Sequence, residues 1–355
     1  MADVVDWDLA AATGLRLVPG GPPATPAAAR QAVDQLRQVA AAAVGPVREV
    51  TGLIARTDAA TVVVDRQAWL LSNVEGFRTV VTPYLERVRA RQQASGAPAA
   101  GAIAAVGSRA TGAQVGAVLA WLSGKVLGQF EAFAAPGRPH RLLLVAPNIV
   151  QVERKLEVDP RDFRLWVALH EETHRVQFGA VPWLGDHLRA EIDQYLLAAD
   201  LTAGDAVRRA LALLRALVGV LRGDTDASVV EAAQTPAQRA VFDRLTALMS
   251  LLEGHADHVM DEVGPSVVPT VAQIRERFDR RRREPGAVDG LARRLLGLDA
   301  KLRQYSEGAA FVRGVLARAG EAGFARVWTT PEHLPTRGEI ADPAAWVARV
   351  VGGAG

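Results

Sequence analysis

Apolar residues recur along most of this chain every three or four positions, the period of one face of an α-helix. PAAARQAVDQLRQVAAAAV opens with Pro26 at a first helical position and reads as a helix. The second half of 57–91 keeps the period, and from 183 onward the pattern is almost wholly helical. One longer helix is predicted over 235–264, and a Pro-punctuated tail ends in a short helix. Small residues at helical spacing in APAAGAIAAVGSRATGAQVGAVLAWLSG predict closely packed helices. Its glycines fall in no G-x-G-x-x-G frame behind a strand, so no nucleotide loop is read there. Two apolar runs depart from the helical period. LLLV at 142–145 reads as a strand, with Pro147 and Asn148 punctuating its end. VVV at 62–64 fits a short strand or a helix entry. Residues 1–25, closing on VPGGPPATP, read as an irregular arm, and 26–355 as a single domain. The predicted fold class is mostly α with a small β element.

One helix carries chemistry. Asp159 is an N-cap, Pro160 takes the first helical position, Asp162 favours the positive end, and Gly179 and Pro182 stop the helix near 178. Phe163, Trp166, Val167, His170, Thr173, His174 and Gln177 share its apolar-facing side. Within it lies ALHEETHRVQF. His170 and His174, at i and i+4, place two imidazoles on one face, where both can reach a Zn²⁺ at about 2.0–2.1 Å. Glu171 lies one step around the helix, able to touch a water on the metal without ligating it. The metal lowers that water's pKa towards ~7. Glu171 then takes its proton and later delivers it to the leaving group. The structural alternative, two core histidines with satisfied hydrogen bonds, leaves the intervening Glu171 without a reason.

Composition narrows the ligands. The chain has no cysteine, so a metal must be held by His, Asp or Glu. A catalytic zinc needs a third protein ligand and an open fourth position. LLEGHADHVMDE, 251–262, is the segment that offers one. Either Glu253 ligates while Asp257, one turn on, accepts the free N–H of His170 or His174, or His255 or His258 ligates. Glu253 is preferred. Leu251, Leu252, Val259 and Met260 bury at least half of this helix, so its carboxylates need partners.

HEETH followed by E-x-x-x-D on a later helix resembles the gluzincin class of zinc metallopeptidases. The wider run of LLLVAPNI, FRLWVALHEETHRVQF, VPWL, LEGHADHVMD and KLRQYSEGAAFV resembles a narrower family over roughly residues 25–350. That family comprises uncharacterised bacterial zincin-like proteins, classed as candidate hydrolases and associated with deazaflavin-coenzyme biosynthesis. The resemblance implies a zincin-like helical domain with its β element beside the HExxH helix, Glu253 as third zinc ligand and Asp257 behind a ligand. In gluzincins the strand before the metal helix edges the cleft and can pair with a peptide; here that strand would be LLLVAP. Such enzymes often place a Tyr or His to stabilise charge on the scissile carbonyl oxygen. Tyr305 is the candidate, followed by small residues that let a backbone approach, with His258 second and Arg303 available for a substrate carboxylate. Trp166, Gln177 and Trp183 lie near enough in sequence to shape the pocket. His140, His187 and His333 read as structural or solvated.

The expected function is zinc-dependent hydrolysis of a peptide or amide bond. The rival is a non-catalytic metal-binding or interaction protein on the same scaffold, against which the intact Glu171 argues. Other classes find little support. Net charge is only +2, and the one basic block, RERFDRRRRE at 275–284, is interleaved with acids and lacks stacking aromatics, so no nucleic-acid partner is expected. The start carries acids where a signal peptide is basic, and no apolar run approaches the ~20 residues of a bilayer span. A cytoplasmic protein with no membrane partner is expected.

Overall fold

The computed structural model describes residues 5–56, 59–94, 101–134, 137–198, 236–283 and 298–354. Among the described residues the protein is mostly helical with one three-stranded sheet, as the apolar period predicts. It divides into two compact units. The first draws its described residues from those up to 41 and from 59–168. The second draws on 42–58, on 169–199 and on the residues after 235.

The first unit holds α1 (Trp7–Leu17), the first part of α2 (Pro26–Thr51), β1 (Ala60–Val64), α3 (Arg66–Ala94), α4 (Gly101–Ser123), β2 (Gly128–Phe130), β3 (Arg141–Val145), α5 (Ala146–Leu156) and the start of α6 (Pro160–Ala180). The sheet order is β1-β3-β2. β1 runs parallel to β3 with Val62 opposite Leu143, and β2 runs antiparallel to it with Gln129 opposite Leu143. Leu142, Leu143, Leu144 and Val145 are all buried. An unalternating apolar run is what a strand covered on both faces requires. The ambiguous VVV is therefore a strand, its β-branched residues paired along β3. β3 is hydrogen-bonded on both sides. The expected cleft-edge role of LLLVAP is thereby corrected, because a strand with both edges paired has no free N–H or C=O row for a peptide.

Two further expectations change. The first 25 residues are not all irregular: Asp6 caps α1 by accepting from Leu9 N at 2.8 Å, and the Ala/Leu-rich WDLAAATGLRL is a strong helix former. α1 lies so close to α4 that a Cβ on Gly116 would collide with the Ala10 carbonyl, which accounts for the small-residue run in α4. Pro147 and Asn148 do not end in a loop but form the first turn of α5, where proline costs no hydrogen bond. Asn148 is buried; it donates to Ser123 O at 2.7 Å and Val126 O at 2.6 Å and accepts from Arg66 Nε at 2.6 Å. A polar residue that reads as a breaker is here a bracket joining three segments.

The second unit holds the rest of α6, α7 (Leu184–Leu197), α8 (Pro236–Val267), α9 (Val271–Arg283), α10 (Leu298–Ala325), α11 (Arg337–Ala341) and α12 (Pro343–Val350). Leu251, Leu252, Ala256, Val259 and Met260 form the buried stripe of α8. α8 crosses α10 where Gly254 meets Gly308, and a Cβ on either would run into the backbone opposite. Trp346 of α12 is fully buried and donates to His333 O at 2.8 Å, which anchors the proline-rich tail. Among the described residues no helix is long and apolar enough to cross a membrane.

Candidate metal centre

α6 starts where its capping residues dictate. Asp159 Oδ1 accepts from Asp162 N at 2.9 Å. Its opening turns are held to α5 by a buried ion pair, Arg164 with Glu153, at 2.9 and 2.6 Å. Arg56 N donates to Gly179 O at 2.9 Å, satisfying a carbonyl in the last turn. The HEETH segment lies between these anchors. Glu171, Glu172 and Thr173 are buried there, and the two histidines are only partly exposed.

The i, i+4 spacing brings the two imidazoles together edge to face, with centroids 4.7 Å apart and Nε2 atoms 3.2 Å apart. Glu253 on α8 completes a triangle. Its Oε2 stands 3.5 Å from His170 Nε2 and 3.7 Å from His174 Nε2. Those separations are long for hydrogen bonds. They match the spacing of ligands around a tetrahedral zinc, about 3.3 Å for bonds near 2.0 Å. Glu253 Oε2 is also buried with no hydrogen-bond partner among the described residues. A buried carboxylate oxygen left without a partner, aimed at two ring nitrogens, fits a cation at its centre. Among the described residues His170, His174 and Glu253 are the one such group close enough to share an ion.

The charges in this pocket are mutually dependent. Burial pushes the Glu171 carboxyl up, the two imidazoles pull it back, and Glu253 adds to the rise. Burial also works against charge on His174, yet contact with Glu253 and the charges of Glu253 and Glu171 prevail and hold it at about 9 without a metal. Burial likewise opposes charge on Glu253, but the two histidines keep it well below the usual carboxylate range. Glu253 is thus an anion poised for a cation.

The other sequence candidates sit elsewhere. Asp257 does not reach either imidazole: it pairs with Arg275 of α9 at 3.4 Å. Its i+4 position sets it one turn beyond Glu253, within reach of the basic helix α9. The partner of His174 Nδ1 is instead Gln177 Oε1, at 2.9 Å. His255 is not at the triangle. It is buried against Phe324 and Trp328, with its Nδ1 3.0 Å from Gln177 Nε2. Burial first, then the charges of His258 and His174, push it down to about 3. His258 Nδ1 is buried without a hydrogen-bond partner among the described residues and lies 3.9 Å from Glu262. The side chains of Tyr305 and Arg303 lie outside the described residues, although α10 includes both positions. Trp166 stacks on Phe163, and Trp183 donates to Trp328 O at 3.2 Å. His140, His187 and His333 engage Glu131 O, the Trp183 ring and Thr329 respectively.

Sequence reading gave Glu172 no role. It is buried and pairs bidentately with Arg175, at 2.7 and 2.5 Å. The i, i+3 spacing of a carboxylate and an arginine was the available signal.

The fold and the site together define a class. The description "zincin-like metallopeptidase" matches residues 5–347, and the chain belongs to that family. A solved structure described as a candidate hydrolase with a novel fold, from Chloroflexus aurantiacus, is similar to it. The two share 31% identity over 97% of this chain and 98% of that one, with a TM-score of 0.69. No curated protein matches the chain. Neither similarity mentions deazaflavin coenzymes.

Proposed function

We propose that this protein is a zinc-dependent hydrolase that cleaves a peptide or amide bond. The supporting observation is the triangle of His170 Nε2, His174 Nε2 and Glu253 Oε2, with the buried carboxyl of Glu171 electrostatically coupled to all three. These three atoms would hold the ion, two as neutral imidazoles and one as a carboxylate. A zinc so bound supplies acidification of water and polarisation of a carbonyl oxygen.

The chain's own residues do the rest. Glu171 accepts a proton from the attacking water as its oxygen bonds to the carbonyl carbon. It returns that proton to the leaving nitrogen as the C–N bond breaks. A carboxyl pushed up by burial suits both halves of this transfer, since it must be able to carry the proton between them. The family description and the similar solved structure support the hydrolase class.

Glu171→Gln separates binding from chemistry. The variant is expected to keep one zinc per chain and to lose at least ~100-fold in turnover of any peptide or amide the wild type cleaves. Unchanged turnover would overturn the assignment of Glu171. A wild type that binds zinc but cleaves nothing in a broad peptide and amide panel would favour a metal-binding protein without hydrolase activity.

A further inference from the structure

Gln177 is fully buried, three residues beyond His174, and its amide is engaged at both ends. Its Nε2 lies 3.0 Å from the Leu252 carbonyl oxygen and 3.0 Å from His255 Nδ1. A main-chain carbonyl can only accept, so the NH₂ end of the amide must face α8. The flipped amide would set Oε1 against Leu252 O, two acceptors with no proton between them. With the NH₂ end fixed, Oε1 faces His174 Nδ1 at 2.9 Å and can only accept from it. His174 therefore keeps a proton on Nδ1, and Nε2 is the nitrogen that gives up its proton to offer a lone pair at the triangle. The same argument makes His255 Nδ1 an acceptor. Its ring is held in place by Phe324 at 5.4 Å and Trp328 at 5.2 Å.

We infer that Gln177 and His255 act as a positioning relay, in which α8 fixes the Gln177 amide and the amide fixes the tautomer and aim of His174. This inference rests on the metal reading above. It gives Gln177 the duty expected of Asp257. One turn of α8 then does two jobs. Glu253 supplies the third ligand atom, while Leu252 O and His255 Nδ1, on either side of it, align the second ligand through Gln177. The relay is neutral where a carboxylate would be charged, so it orients the imidazole without adding a further negative charge to the site.

The test is zinc affinity by competition with a chromogenic chelator, on wild type, Gln177→Leu and Gln177→Glu. Gln177→Leu removes the acceptor and is expected to weaken zinc about 10–100-fold. Gln177→Glu keeps an acceptor for His174 Nδ1–H but loses the donor to α8, and is expected to weaken zinc less than Gln177→Leu does. Equal losses in the two variants, or none in Gln177→Leu, would overturn the relay while leaving the metal site standing. ¹⁵N imidazole spectra of the wild type give an independent reading that needs no variant to fold. They are expected to show His255 protonated on Nε2 only. A proton on His255 Nδ1 would overturn the relay. A wild type that binds no zinc would instead overturn the metal reading itself, and the relay's purpose with it.

Discussion

Gly254, one residue after the proposed ligand Glu253, meets Gly308 backbone to backbone at a crossing where neither position has room for a Cβ. The proposed third ligand thus sits beside a close crossing of α8 and α10. Gly308→Ala must push the helices apart. Overpacking of this kind costs about 1–3 kcal/mol. The variant is expected to unfold at lower urea and, because α8 carries Glu253, to bind zinc more weakly than wild type. Wild-type stability and affinity together would show that the crossing is looser than it stands here.

The opening of the metal helix depends on a buried ion pair. Arg164 of α6 bonds both oxygens of Glu153 on α5, and its remaining nitrogen bonds Gln35. Removing one partner strands the other charge. Glu153→Ala is expected to cost about 3–5 kcal/mol, and Glu153→Met with Arg164→Met much less. Urea midpoints of the single and double variants check this. A single variant as stable as wild type would contradict it.

Protons and metal compete at His174. Its folded value without metal, about 9, lies above the ordinary 6.5. A raised value means that the stabilisation is fully present below about 6.5 and is lost as pH rises through about 9. In chelator, the melting temperature is therefore expected to fall across that window. At pH 7 zinc must displace the His174 proton, so binding is expected to release it and to weaken about tenfold per unit of falling pH. Calorimetry in two buffers of different ionisation enthalpy measures the release. Zinc binding with no proton released at pH 7 would contradict this arrangement.

Much of this was legible in the residues. His170 and His174 are four apart on a capped helix, with Glu171 next to the first, and helical geometry alone puts the two imidazoles on one face. Glu253 could be preferred because it sits on a half-buried helix where a carboxylate needs a partner. What sequence could not supply was the direction each polar group takes once helices pack. Asp257 has the right spacing for a supporting carboxylate, but the basic helix α9 supplies Arg275 nearer to it. Gln177 reads as one more polar residue on the metal face. Its role depends on Leu252 O and His255, more than seventy residues away in sequence. The pairing of both edges of LLLV is likewise a long-range matter: an apolar run signals burial, not which neighbours lie alongside. The helix in the first 25 residues was masked by the glycines and prolines that follow it.

His170, His174 and Glu253 are proposed to hold one zinc together. Metal content by mass spectrometry, on protein loaded with zinc and then desalted, tests it most directly when wild type is set beside His174→Ala and Glu253→Ala. One zinc per chain in the wild type, lost from both variants, is the predicted result. Zinc retained in Glu253→Ala would remove Glu253 from the ligand set, and a wild type that holds no zinc would contradict the site altogether.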